Sequence, residues 1–167
     1  MNDRAPAPGE LALVEALVNT LDVEKGADSL DTEAGRTAFG LTEAGVPGAR
    51  ELREALRAAC LAHAGREVST ASLDRLLAAA PLLVTVDGAG AAALRPADPG
   101  ALASRVAAAI ASAHADGTWP RLKACEAEDC QWAYYDRSPA GRSRWCTMAV
   151  CGSRAKMRKY RAGRAKG

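Results

Sequence analysis

Apolar residues recur at helical spacing along much of the first 118 residues. Segments 10–21 and 49–64 each place leucine, valine or alanine side chains three or four positions apart, which predicts two amphipathic helices. A third helix is predicted to begin after Ser69 or Thr70, because both residues are good N-caps, and to end near residue 79.

A strand pattern follows that third helix. Segment 82–86 is rich in β-branched residues, Asp87-Gly88 is a strong turn signal, and segment 91–94 can return as the second strand of a hairpin. Asp98-Pro99 then fits the N-cap and first position of a last helix, which is predicted to reach about residue 115.

The remaining N-terminal segments carry no clear period. Residues 1–9 are polar and Pro-rich and are predicted to be disordered, and segment 22–44 is predicted to be loop with at most one helical turn. The sequence therefore predicts a helical module with one β-hairpin over residues 1–118.

The pattern changes after residue 118. The aromatic run 131–136 predicts a strand, segment 138–141 predicts a turn, and segment 143–146 can pair back on that strand. From Ser153 there is no helix breaker before Gly163, which predicts a helix of about ten residues.

Two pairs of large side chains are expected to pack this C-terminal part. Trp132 and Trp145 could cover a small core, and Met157 and Tyr160 would form the packing stripe of the last helix. The fold class predicted for the whole chain is mostly α, with a C-terminal four-cysteine module in which a β-hairpin precedes a basic helix.

Composition supports a boundary near Trp119-Pro120. Residues 121–167 hold twelve Lys/Arg against four Asp/Glu, whereas the first 120 residues hold ten basic and sixteen acidic groups. All three Trp and all three Tyr also follow residue 118. We therefore expect two modules, 1–118 and 119–167, with opposite electrostatic character.

Four cysteines carry the clearest chemistry. Two pairs, each with four residues between its members, are separated by a fifteen-residue insert: Cys125, Cys130, Cys146 and Cys151. Two short loops with two thiolates each are what a tetrahedral structural zinc ion needs. An iron–sulfur cluster, also bound by four thiolates, is the main competing interpretation, and metal-free buried thiols are another. Cys60 lies on an apolar helical face and is expected in the core.

A basic tail follows the last cysteine. Seven Lys/Arg and no acid lie between Arg154 and Lys166, a density typical of contact with a nucleic-acid backbone. The tail could instead confer solubility, and Arg154 and Lys156 could neutralise the metal site. The predicted nucleic-acid-binding residues are Arg142, Arg144, Arg154, Lys156, Arg158, Lys159, Arg161 and Arg164.

These motifs resemble a known family. The strings Cys125-Glu-Ala-Glu-Asp-Cys130-Gln-Trp132, Asp136-Arg137-Ser138 and Arg144-Trp145-Cys146 through Cys151-Gly152-Ser153-Arg154 resemble the CGNR zinc-finger family. Its name-giving tetrad is Cys-Gly-Asn-Arg, so Ser153 departs from it. The first module resembles the ABATE domain, through Leu11-Ala-Leu13, segment 18–21, the hairpin and the Asp98-Pro99 helix. The resemblance implies a bacterial DNA-binding transcription regulator.

Several functions are not supported by any motif. There is no paired-carboxylate motif, phosphate loop, nucleophile with a nearby histidine or open metal site, so no enzymatic activity is expected. His63 and His114 are expected to be core or surface residues. The polar N-terminus is unlike a secretory signal and no apolar run is long enough to span a membrane, so we expect a cytoplasmic protein without membrane contact.

The leading hypothesis is therefore a transcription regulator. Double-stranded DNA is the expected partner of the C-terminal module, and the N-terminal module would sense a small-molecule effector or mediate homodimerisation. A protein-interaction adaptor is the first alternative. RNA binding, with Trp132, Tyr134 or Tyr135 stacking on bases, is the second.

Overall fold

The computed structural model describes residues 5–164, and most of its elements are helical. The six helices are Leu11–Val18 (α1), Glu33–Thr37 (α2), Val46–His63 (α3), Ala71–Ala78 (α4), Leu102–Ala115 (α5) and Ser153–Arg164 (α6). Three antiparallel strand pairs are Leu21–Asp22 with Ala27–Asp28 (β1, β2), Leu82–Val86 with Ala92–Pro96 (β3, β4), and Leu122–Ala124 with Ala133–Tyr135 (β5, β6). The predicted fold class is confirmed. Across the described residues, no helix is both long and apolar enough to cross a membrane.

Two helix starts differ from the prediction. α3 begins at Val46, and Pro47 occupies its first turn. Proline is tolerated there because the N–H groups of a first helical turn have no partner within the helix. α5 begins at Leu102 and not at Pro99. The Asp98 carboxylate accepts hydrogen bonds from the N–H groups of Gly100 (2.9 Å) and Ala101 (3.3 Å). Asp98 therefore closes a turn ahead of the helix and is not its N-cap.

The segment predicted as loop, residues 22–44, is more regular than its sequence suggests. It contains the short β1–β2 hairpin, α2 and two single 3₁₀ turns. Arg53 of α3 is buried and donates hydrogen bonds to Asp28 (2.7 Å) and to the hydroxyl of Thr20 (3.1 Å). A side chain from a distant helix therefore orders this segment, which is a contact that local periodicity does not record.

The predicted N-terminal disorder is wrong for residues 5–9. Ala7 is buried in the core, and Arg137 donates hydrogen bonds to the carbonyl oxygens of Ala5 (2.9 Å) and Pro6 (2.7 Å). Residues 1–4 of that prediction lie outside the described residues.

The β3–β4 hairpin forms where the sequence predicts it. Its turn is longer than a two-residue Asp-Gly turn, because Val86 pairs with Ala92. The Asp87 carboxylate closes this longer turn by accepting hydrogen bonds from the N–H groups of Ala89 (2.8 Å) and Ala91 (2.9 Å). The returning strand consequently begins at Ala92 and ends at Pro96. The hairpin packs on α5 and leaves Leu83 and Val84 exposed.

The hydrophobic core continues across the predicted module boundary. Helices α1, α3 and α5 bury Val14, Leu56 and Val106, and Leu122 and Tyr135 of the β5–β6 hairpin belong to the same cluster. Leu122 is completely inaccessible to solvent. The division at residues 118 and 119 stays a prediction, but the two parts share one core.

Removing a hairpin side chain from that core should destabilise the whole chain. We expect Leu122→Ala to lower the free energy of unfolding by about 3 kcal/mol, because it removes three buried carbons and leaves a cavity. Urea denaturation followed by the far-ultraviolet helical signal measures this change. Leu83→Ala, at a side chain that is 54% exposed, is the control and should stay within about 0.5 kcal/mol of wild type. Equal effects of the two substitutions would contradict the shared core.

Candidate metal centre

The four cysteines of the C-terminal module converge on one point. Their sulfur atoms all lie within 4.8 Å of one another. The Cys130 sulfur lies 3.6 Å from that of Cys146, which in turn lies 3.6 Å from that of Cys151. A tetrahedron with zinc–sulfur bonds of about 2.3 Å places its sulfurs about 3.8 Å apart. The donor set and spacing therefore fit one structural zinc ion.

The protonation of these thiols shows why a cation belongs among them. Hydrogen bonds from Cys130 and Cys146 lower the pKa of Cys125 below its ordinary value, and the hydrogen bond that Cys130 donates to Cys125 raises the pKa of Cys130. One thiolate thus holds its neighbours protonated. A zinc ion reverses this, since a coordinating thiol loses its proton outright.

The first cysteine pair lies on a tight turn. The N–H groups of Cys130 and Gln131 both donate hydrogen bonds to the carbonyl oxygen of Ala127, at 2.9 and 3.0 Å. Gln131 has φ +50°, the one positive φ of a non-glycine residue across residues 5–164. That left-handed conformation reverses the chain directly after Cys130.

The second pair spans a π-helical turn, Met148–Gly152, which leads directly into α6. A Cβ at Gly152 would lie 2.8 Å from the sulfur of Met148 and 3.2 Å from the ring of Trp145. A larger residue would therefore displace one of them. The hydroxyl of Ser153, the departure from the family tetrad, donates a hydrogen bond to the carbonyl oxygen of Met148 (3.1 Å).

The strand pairing predicted for this module is wrong. β6 pairs with β5, in the register Leu122 with Tyr135 and Ala124 with Ala133, and not with segment 143–146. Segment 143–146 instead runs as irregular chain beside the first cysteine turn, where the N–H of Glu126 donates to the carbonyl oxygen of Arg144 (3.0 Å). The predicted turn over 138–141 is present, with the N–H of Gly141 bonded to the carbonyl oxygen of Ser138 (3.1 Å).

Aromatic residues cover the sulfur cluster as predicted. Tyr134 is fully buried beside the cysteines, and Trp132 and Trp145 pack against them half-buried. The Tyr134 hydroxyl donates a hydrogen bond to the carbonyl oxygen of Ser143 (2.8 Å). This cluster is small, so the segment depends on the metal for much of its stability.

A buried ion pair between Lys123 and Asp136 holds the loop that joins the two cysteine pairs. The ammonium of Lys123 lies 3.0 Å from the carboxylate, and that carboxylate also accepts hydrogen bonds from the N–H groups of Ser138 (3.0 Å) and Ser143 (2.9 Å). Burial alone would raise the pKa of Asp136, but the hydrogen bonds from Ser138 and Lys123 outweigh it and lower the pKa. The signal available in the sequence was Asp136-Arg137-Ser138, the pattern of an Asx-turn.

Three side chains of the N-terminal module fasten the four-cysteine module through its backbone. The Asn19 amide makes two hydrogen bonds with the N–H (2.7 Å) and carbonyl (3.0 Å) of Ala133, as a strand neighbour would. Arg57 donates a hydrogen bond to the carbonyl oxygen of Gln131 (2.8 Å). The Nδ1 atom of His63 lies 2.8 Å from the carbonyl oxygen of Leu122. Asn19 and Arg57 carry no local sequence signal for these roles, because backbone contacts between distant segments leave no local pattern.

His63 is partly buried, and the fifth cysteine, Cys60, lies in the core. Burial lowers the pKa of His63, so its imidazole is neutral at pH 7 and Nδ1–H can donate to the carbonyl oxygen of Leu122. Burial raises the pKa of Cys60 to about 12, which leaves this thiol protonated and unreactive. The predicted core position of Cys60 is confirmed.

Comparison with known families agrees with this geometry. Residues 121–164 match the CGNR zinc finger family. A zinc finger is therefore present, and its four cysteines are the ones that the spacing predicted. No curated protein matches the chain. The ABATE-like character of the N-terminal module stays a prediction.

Three of the eight predicted nucleic-acid-binding residues already contact acids. Arg144 forms a two-point ion pair with Glu126, Arg154 lies 2.9 Å from the carboxylate of Glu24, and Arg158 lies 3.6 Å from that of Asp129. Arg154 and Arg158 share one flank of α6, so this flank faces the body of the protein. Two of the contacts are with acids of the zinc finger and one is with the β1–β2 turn.

The other five predicted residues have no acidic partner across residues 5–164. They are Arg142, Lys156, Lys159, Arg161 and Arg164, and all are exposed. The packing stripe predicted for α6 is wrong: Met157 is 50% and Tyr160 is 59% exposed, and no described residue of the helix is buried. α6 therefore projects from the zinc finger with its apolar side uncovered.

The first prediction from this site concerns the metal. Protein purified without added metal should contain one zinc ion per chain by elemental analysis, and chelation should unfold the segment from Lys123 onward. Cys146→Ser should lose the zinc, whereas Cys60→Ala, which leaves all four ligands in place, should retain it. Substantially less than one zinc, or iron together with sulfide, would contradict the assignment.

The second concerns the buried ion pair. Asp136→Asn should lower the free energy of unfolding at pH 7 by about 3 kcal/mol or more, because it leaves the Lys123 ammonium buried without a counter-charge. The stabilisation is present above the ordinary carboxyl pKa of 3.8 and is lost as the pH falls through the lowered pKa of the folded state. Denaturant titration of the zinc-loaded protein measures the loss.

Two further variants test the cause of that loss. Asp129→Asn removes an exposed ion pair with Arg158 and should cost less than about 1 kcal/mol. Combining Asp136→Asn with Lys123→Met removes both buried charges and should recover part of the loss. A double variant no more stable than Asp136→Asn alone would show that charge burial is not the cause.

Proposed function

We propose that this protein binds double-stranded DNA through its zinc finger and helix α6 and regulates transcription. In this proposal the N-terminal module senses a small molecule or mediates homodimerisation. No catalytic step is part of the proposal, since a zinc ion held by four thiolates has no open coordination position. The cysteine residues serve to fix the position from which α6 departs.

The observation that carries the proposal is the set of exposed cations on α6. Lys156, Lys159, Arg161 and Arg164 are exposed, and no acidic side chain within residues 5–164 neutralises them. Their helix begins two residues after the last zinc ligand, so their mean position relative to the finger is fixed. Such an array displaces condensed counterions when it lies along a phosphate backbone.

The distribution of charge along the chain supports a contact between DNA and the C-terminal module alone. The first 120 residues carry an excess of six acidic groups over basic ones, and residues 121–167 an excess of eight basic groups. A duplex would therefore be repelled by the N-terminal module and attracted by α6, which orients the encounter.

A protein-interaction adaptor remains the second candidate, and a specific observation favours it. Met148, Val150, Met157 and Tyr160 are all exposed, so α6 and the turn before it present apolar area beside the cations. An acidic amphipathic partner would match both. RNA recognition through base stacking receives less support, because Tyr134 and Tyr135 are buried and Trp132 packs against the cysteines.

Salt dependence and single substitutions distinguish these functions. With about four to five phosphates neutralised, the logarithm of the duplex association constant should fall against the logarithm of salt concentration with a slope of roughly −4. Lys156→Ala or Lys159→Ala should weaken binding to all sequences alike and flatten this slope by about one unit each, because each removes one phosphate contact. Fluorescence anisotropy with labelled duplexes at several salt concentrations gives both values.

The matched control is Arg95→Ala on strand β4, which removes an equal charge from an exposed site of the N-terminal module. It should leave the slope unchanged. If truncation after Ser153 preserves both zinc content and duplex affinity, α6 is not a nucleic-acid contact and the proposal is wrong. Saturable binding of an acidic peptide without any duplex affinity would favour the adaptor.

A further inference from the structure

The β3–β4 hairpin is the exposed sheet of this fold. Every residue of β5 and β6 is buried, whereas the residues of β3 and β4 are exposed apart from Leu82 and Pro96, which are half-buried. Three large apolar side chains of the hairpin are open to solvent, with Val84 70%, Val86 65% and Leu94 48% exposed. Clustered apolar exposure of this kind marks an interaction surface.

The backbone of β3 also has unused hydrogen-bonding groups. At the turn, the N–H of Asp87 donates to the carbonyl oxygen of Ala91 directly opposite it (3.0 Å). Opposed residues of an antiparallel pair alternate between hydrogen-bonded and non-bonded pairs, so every second residue of β3 directs its N–H and C=O away from β4. These groups have no partner among residues 5–164. The residues that carry them are Leu82, Val84 and Val86.

The two edges of the hairpin are not equivalent. β4 contacts α5 more closely than β3 does, and it ends at Pro96, which has no N–H to donate. Edge strands are normally protected from pairing by charged side chains, proline or a bulge. Segment 82–86 has no charged residue and no proline, and its register with β4 is uninterrupted. β3 is therefore an unprotected edge that can accept another strand.

We propose that β3 is the dimerisation surface of this protein and pairs with β3 of a second copy, antiparallel, across a two-fold axis at Val84. In this register Val84 lies opposite the partner's Val84, and Leu82 lies opposite the partner's Val86. Each of the three outward residues in either copy then donates one hydrogen bond and accepts one. The two hairpins become one four-stranded sheet.

Self-complementarity favours a second copy over an unrelated strand. The outward residues are spaced evenly about Val84, so the same strand reversed presents matching donors and acceptors, as a two-fold interface requires. Between residues 81 and 94 the one charged side chain is Asp87, which lies at the turn and not at the axis. No like charges therefore oppose each other where the copies meet. Leu94 flanks Val84 in each hairpin, which gives an apolar row across all four strands.

The expected dimer is weak. Stable interfaces bury about 800 Å² per partner, and two paired strands of five residues cover less than that. Because interfaces of standard size already extend to micromolar affinity, a dissociation constant of about 10–100 µM is expected. Sedimentation equilibrium of the zinc-loaded full chain measures it. A protein that stays monomeric well above this concentration range would overturn the proposal.

A proline at the axis tests whether the edge itself makes the contact. Val84→Pro removes an outward N–H and leaves the hydrogen bonds within the hairpin, because Val84 and Leu94 form a non-bonded pair. Two hydrogen bonds are lost per dimer, so the dissociation constant should rise about tenfold or more. The matched control, Leu94→Pro, removes an outward N–H from the other edge and should change it by less than about threefold. Equal effects in two variants with wild-type helical signal would overturn the edge pairing.

Charge variants test the register without proline. Val84→Lys and Val84→Glu each place like charges opposite one another and should each prevent self-association, whereas an equimolar mixture should associate. Leu94→Lys and Leu94→Glu are the control pair, since the two copies of residue 94 lie three strand spacings, about 14 Å, apart. Mixing these controls should give little gain. A Val84 mixture that associates no better than its components would overturn the two-fold register.

The proposal gives a surface to the homodimerisation named in the proposed function, and in that respect it rests on that function. The self-association experiments contain no DNA, so the two can fail separately. Dimerisation through β3 by a protein without duplex affinity would support the edge and contradict the proposed function. Duplex binding by a protein that stays monomeric would overturn the edge and support the DNA contact.

Discussion

Four sulfur atoms within 4.8 Å of one another are the constraint on which the C-terminal third of this chain depends. As thiolates they repel, so the arrangement needs a dication at its centre. The core around them is small, with Tyr134 and Ala127 as its buried non-cysteine members. The metal therefore supplies much of the stability of the loops that carry the cysteines, whereas the β5–β6 hairpin is also held by the shared core.

The metal site fixes the finger internally, and contacts with backbone carbonyls fix it to the helical module. Asn19, Arg57 and His63 each bond to main-chain atoms of residues 122–133. Backbone contacts of this kind do not depend on the side chains of the residues contacted, so a substitution of those side chains would leave the hydrogen-bonding groups in place. They also place the first turn of α6 beside the β1–β2 turn, where Arg154 meets Glu24. A finger on a free linker would not have this contact.

Local sequence signals predicted five of the six described helices (all but α2), the β3–β4 hairpin and the four-cysteine set, because each depends on residues close in sequence. The failures have a common physical cause. β6 pairs with β5 and not with segment 143–146, since strands on either side of the first cysteine turn are brought together by that turn. Met157 and Tyr160 have helical spacing, but spacing does not say whether another element covers them. Arg53, Arg57 and the Lys123–Asp136 pair needed tertiary structure, because charged residues are rarely expected in a core.

The two flanks of α6 differ in what a duplex would have to displace. Arg154 and Arg158 already contact Glu24 and Asp129, so a phosphate gains only the difference between two ion pairs at these positions. Lys156 and Lys159 have no acidic partner within residues 5–164, so a phosphate gains the whole interaction and releases a counterion. The lysine flank should therefore dominate sequence-independent attraction. The arginine flank would add less to that attraction, because each contact with a phosphate there replaces an ion pair that already exists.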